Sequence, residues 1–187
     1  MTNDGTERGR ILCSLGSADG NGVVRMEHRY DTNADDLWTA ITDPSRLARW
    51  YGRVEGDLRL GGEFRLHVEG ADIDATGRIE ACDPPGRLLV TNRETDESYR
   101  RGNGVPPFDE TIEATLTADG DQTILVIEVR GMPLEKIAFY GVGWQLHAED
   151  LAVFLSGGAP GDTEARWKEL VPLYQELAAH TGPQNGG

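Results

Sequence analysis

Residues 33–50 read Asn-Ala-Asp-Asp-Leu-Trp-Thr-Ala-Ile-Thr-Asp-Pro-Ser-Arg-Leu-Ala-Arg-Trp. Asn33 can cap a helix, Asp35 and Asp36 fall in its first turn, and Leu37, Trp38 and Ile41 make its apolar stripe. Asp43-Pro44 then starts a second short helix, with proline at the first helical position, where its missing N–H does no harm. Leu47 and Trp50 give that second helix a buried face. Just upstream, residues 23–30 alternate, with Val24, Met26, His28 and Tyr30 on one side and Val23, Arg25, Glu27 and Arg29 on the other. That is the pattern of a half-buried strand. A strand followed directly by two short helices joined through Asp-Pro is an uncommon arrangement.

Working outward, strands dominate. Residues 11–15 form a short edge strand ended by the turn-forming residues 17–22. Phe64, Leu66 and Val68 alternate after the Gly61-Gly62 turn; residues 72–81 continue the sheet with Gly77 as an interruption, and Asp83-Pro84-Pro85-Gly86 turns into residues 88–93. Residues 94–107 read as an irregular loop, long for a hairpin and therefore a candidate functional segment. Ile112, Ala114 and Leu116 alternate in the next strand, and the β-branched residues 123–129 suit a central one. The period then becomes helical: Trp144, His147, Leu151 and Phe154 share one face of a helix over residues 142–155. A Gly-rich break follows, then a last amphipathic helix capped by Asp162 or Thr163 and expected to kink at Pro172. This order gives an α+β chain, a curved antiparallel sheet of about six to seven strands wrapped around a long C-terminal helix. The expected units are residues 11–156 as the domain, 157–180 as a linker and added helix, and 1–10 and 181–187 as tails.

Composition excludes several roles. The 187 residues carry a formal charge of −14, which opposes binding to nucleic acid or to an anionic membrane surface. No apolar run approaches the ~18 residues of a membrane span, and the first residues lack the order of a signal peptide, so the expected location is cytoplasmic. Cys13 and Cys82 are too few for a disulfide framework and are expected to be free thiols. His28, His67, His147 and His180 lie far apart and make no metal-ligand pair, so neither metal nor cofactor is expected.

Several of these segments together resemble the SRPBCC superfamily, the START and birch-pollen-allergen-like helix-grip proteins. They resemble most the branch named after the activator of the heat-shock protein 90 ATPase. The matching pieces are residues 37–44 with Leu47-Ala48-Arg49-Trp50, then Gly61-Gly62-Glu63-Phe64-Arg65, residues 77–88, Thr123-Ile124-Leu125, Gly131-Met132-Pro133 and Gly143-Trp144. The resemblance covers residues 23–155 and implies a helix-grip fold with a pocket between sheet and helix. It does not fix a function, because its members are similar in shape while serving as carriers, receptors and cyclases.

The expected pocket lining is Trp50, Phe64, Leu66, Ile112, Leu116, Trp144, His147 and Leu151, residues that serve equally well to fill the interior. His147, with Asp150 one turn on, and His28 are the candidate proton-transfer groups; Tyr99 and Arg100-Arg101 stand where a loop closing over a polar ligand group would need them. Three functions compete. The first is a non-enzymatic carrier or sensor of a small apolar molecule. The second is a co-chaperone-like interaction module, and the third a cyclase or hydrolase acting on an aromatic or polyketide-like substrate. The chain is expected as a monomer, or as a homodimer paired through the edge strand.

Overall fold

The computed structural model describes residues 10–101 and 106–181; the expected tails lie almost wholly outside them, as does part of the 94–107 segment. The elements run β1 (Cys13–Ala18), β2 (Asn21–Tyr30), α1 (Ala34–Thr42), α2 (Pro44–Leu47), β3 (Arg53–Gly56), β4 (Glu63–Val68), β5 (Ile73–Asp83) and β6 (Arg87–Glu94). They continue with α3 (Asp96–Arg101), β7 (Asp109–Asp119), β8 (Gln122–Met132), α4 (Ile137–Leu155) and α5 (Thr163–Ala179). Among the described residues all strands pair antiparallel in one sheet of order β1-β2-β8-β7-β6-β5-β4-β3, and the one crossover carries β2 against β8. The fold is the helix-grip fold, with α4 held in the concave face.

Residues 33–50 fold as their chemistry dictates. The Asn33 side chain accepts from the Asp36 amide at 3.0 Å, and Asp43 accepts from the amides of Ser45 and Arg46 at 2.8 and 3.2 Å. The Trp50 indole N–H donates to the Ala40 carbonyl at 3.0 Å, folding the corner after α2 back onto α1.

Four features differ from expectation. The sheet has eight strands, because β3 is only four residues long and Arg-Val-Glu-Gly shows too little alternation to be read as a strand. β1 runs on to Ala18, and the turn shrinks to Asp19-Gly20, whose φ values of 52° and 81° are those of a two-residue hairpin. Residues 94–107 are not loop throughout: Glu94 closes β6, and α3 follows, with the Thr95 hydroxyl accepting from the Ser98 amide at 3.1 Å. Arg101 then pairs with Asp72 and Asp74, which ties α3 to β5. Finally, α4 begins at Ile137, five residues before the expected start. Gly141 and Gly143 weaken its helical signature, and Gly141 is a packing requirement: a Cβ there would meet the Tyr174 ring of α5 at 2.6 Å.

A buried polar network closes the back of the molecule. Gln145 on α4 is fully buried. Its Oε1 accepts from the Leu12 amide at 3.1 Å and from the Tyr174 hydroxyl, while its Nε2 donates to the Arg10 carbonyl and to Glu149, both at 2.9 Å. The Tyr174 oxygen accepts in turn from the Cys13 amide at 3.1 Å, and Arg166 of α5 grips Glu149 through two nitrogens at 3.0 and 2.7 Å. Cys13 and Cys82 are free thiols; burial pushes the Cys13 thiol up to about 12, which keeps it neutral. Among the described residues no helix is long and apolar enough to cross a membrane. Replacing Gln145 by Leu removes the acceptor of both the buried Tyr174 hydroxyl and the part-buried Leu12 amide. Urea unfolding is expected to show a loss of about 2 kcal/mol or more, against about 1 kcal/mol for Tyr174→Phe.

Candidate functional site

The concave face of the sheet is longer than α4 can fill, and the space left over is a cavity of about 320 Å³. Trp38 and Ile41 of α1 form its roof with Trp50 and Tyr51 from the corner after α2. The floor comes from inward residues of the sheet, among them Phe64, Leu66, Val90, Ile112 and Ala114, and Trp144 of α4 closes one side. Polar groups are few among the described lining residues: the Thr42 hydroxyl, which donates to the Trp38 carbonyl at 2.7 Å, the Asn92 amide, the Tyr51 hydroxyl and the Cys82 thiol. Gly77 shapes the floor. It pairs with Phe64 across β4 and β5, and a Cβ there would stand 2.4 Å from the Phe64 ring and 2.6 Å from the Thr91 carbonyl. Glycine therefore lets the Phe64 ring lie flat across β5.

A second compartment of about 460 Å³ shares Tyr51, Leu66, Asn92 and Trp144 with the first. The Tyr51 and Trp144 rings, stacked with centroids 6.0 Å apart, stand between the two. This outer space adds His147, Tyr140, Phe108 and two carboxylates, Glu94 and Glu110, with Lys136 the one basic side chain. His147 sits edge-on to Tyr51 at 4.8 Å and to Trp144 at 5.6 Å, and burial pushes its pKa down to about 4. Glu110 pairs in register with Asn92, which bonds its carboxyl, yet burial outweighs that bond and pushes its pKa up to about 7.

Of the residues singled out in the sequence, Trp50, Phe64, Leu66, Ile112 and Trp144 stand on the inner wall, and Leu66, Trp144 and His147 on the outer one. Leu116 and Leu151 line neither compartment. Both are buried in the core. Leu116 pairs with Leu125 near the end of the sheet where the Tyr30 hydroxyl donates to the Ala148 carbonyl of α4 at 3.0 Å, leaving no gap there. His28 is kept apart from His147: it packs edge-on to Tyr30 at 4.8 Å and faces a groove between α4 and α5. Asn92 and Glu110 were missed, although the signal was present. Strand alternation carried on from Leu88 and Val90 reaches Asn92, and carried back from Ala114 and Ile112 reaches Glu110.

Comparison with known proteins agrees with this architecture. A family model described as Activator of Hsp90 ATPase homolog 1-like protein matches residues 31–156. The crystal structure of CalU16 from Micromonospora echinospora is 28% identical, with a TM-score of 0.69 over 89% of this chain and 96% of that one. DynU16, from the dynemicin biosynthetic locus, is 25% identical with a TM-score of 0.63; the match covers 76% of this chain and 49% of that protein. MLL2253 from Mesorhizobium loti, 19% identical with a TM-score of 0.63 over 72% of this chain and 96% of that one, shares the fold. No curated protein matches the chain. Two helices hinged at Asp43-Pro44, a sheet curled round α4 and a family match spanning most of both place this chain in the family of Activator of Hsp90 ATPase homolog 1-like proteins.

Proposed function

We propose that this protein is a non-enzymatic carrier or sensor of a small apolar molecule, held between the sheet and α4. The observation that carries this reading is the inner cavity, about 320 Å³ bounded almost wholly by aliphatic and aromatic side chains. A space of that size and lining suits a compact hydrophobic ligand. The likeness to DynU16, a protein of a biosynthetic locus, supports a small molecule rather than a protein as the occupant. The two histidines singled out in the sequence, His28 and His147, line different spaces. The interaction-module reading rests on the family description alone.

Native mass spectrometry of freshly purified protein is expected to show a bound mass, and an apolar fluorophore should titrate to saturation. Ala114 lies on the cavity floor, so Ala114→Phe fills the space from inside and should weaken the fluorophore by at least about tenfold. Unchanged affinity in that variant would place the fluorophore elsewhere and overturn the reading.

Keeping charge out of the walls has a pH signature. His147 is lowered from 6.5 to about 4, so its contribution to stability is whole above pH 6.5 and is lost as the pH falls toward 4. Glu110 is raised from 4.5 to about 7, so its contribution is whole below pH 4.5 and is lost as the pH rises through 7. Thermal melts should therefore shift in favour of His147→Phe over the wild type on going from pH 6.5 to 4. The shift should favour Glu110→Gln on going from pH 4.5 to 7.

A further inference from the structure

Resting on that reading, we infer that the ligand is an organic cation: its apolar body fills the inner cavity and its alkylammonium group lies in the outer compartment, against the aromatic rings and beside Glu110. The two spaces adjoin, with Tyr51, Leu66, Asn92 and Trp144 in the lining of both. The outer one is lined by aromatic rings: Tyr51 stacks on Trp144, and Phe108 lies 5.7 Å from Tyr140. Glu110 lines the same compartment as Tyr51, Tyr140 and Phe108. Ring faces attract a cation through their quadrupole, most strongly where water is scarce, and a carboxylate in the same wall adds direct Coulomb attraction.

Other head groups fit less well. An anionic head group would meet Glu110 and Glu94, with only Lys136 to offset them, since His147 is neutral. A hydroxyl can donate to Glu110 but gains nothing from the rings. An ammonium group also offsets the desolvation that holds Glu110 partly protonated, so ligand and carboxyl each favour the other's charged form.

Isothermal titration calorimetry with three probes of one shape, naphthylmethylamine, naphthylmethanol and naphthoate, tests this at about pH 8, where the amine is charged and Glu110 mostly ionised. The amine is expected to bind about tenfold tighter than the alcohol, and naphthoate weakest. In Glu110→Gln the preference for the amine over the alcohol should vanish, and a cooperative thermal melt shows that the variant is folded. If that variant does not fold, Tyr140→Leu serves the same comparison, with a reduced amine preference expected. Equal binding of amine and alcohol, or a preference that survives in the variant, overturns the cation and leaves the apolar cavity standing. If none of the three binds the wild type, the cavity reading itself fails, and the cation with it.

Discussion

The fold is organised by the need to cover α4. Its nineteen residues bury Ile137, Val142 and Leu146 as well as Trp144, Ala148 and Leu151, so no single face carries the apolar surface. A helix of this kind has to be enclosed. The curved sheet encloses it from one side and α5 from another, with Gly141 letting the Tyr174 ring come close. Where side chains of α4 are small or turned away, the sheet and the α1–α2 pair must span the gap alone, and the inner cavity is the result.

Polar groups are placed so that this enclosure does not fail. Gln145, on the side of α4 away from the cavity, has partners for both ends of its amide, and they come from the N-terminal segment, α4 itself and α5. A half-satisfied amide there would be worse than a leucine, so the network is a commitment to one arrangement of three segments. The opposite end is held by weaker means. Arg46 and Arg49 stand over the Phe154 ring at 5.4 and 5.9 Å, tying the α2 corner to the last turn of α4. Between these anchors the cavity walls are mainly apolar side chains.

Much of this was legible in the sequence, and the exceptions share physical causes. Asn33, Asp43 and Pro44 act locally, through caps and a fixed φ, and such chemistry can be read one residue at a time. The same holds for the alternation of β2, β7 and β8. β3 escaped because four residues are too few for a period to show, and α3 because the glycines and prolines just beyond it dominate the reading of that stretch. In the site, periodicity told which residues face inward but not where along the groove the interior is empty. Trp144 and Leu151 lie on the same face of α4 two turns apart, yet one borders open space and the other is packed solid. Glu110 and Asn92 are a different case: the period was sufficient, but a carboxylate on an inward position contradicts the expectation that inward means apolar.

The bond between the Tyr174 hydroxyl and the Cys13 amide joins residues 161 positions apart, and β2 finds its second partner only in β8. Contacts of such long range are slow to form, because the chain between them must be closed first. During synthesis β1 and β2 can pair as a hairpin, but one flank of β2 stays unpaired until β8 emerges, and the seal behind α4 waits for α5. A nascent chain thus exposes a bare strand edge for about half of the time it takes to be made. A chain stopped before β8 keeps that edge bare, and one stopped before α5 leaves the back of α4 uncovered.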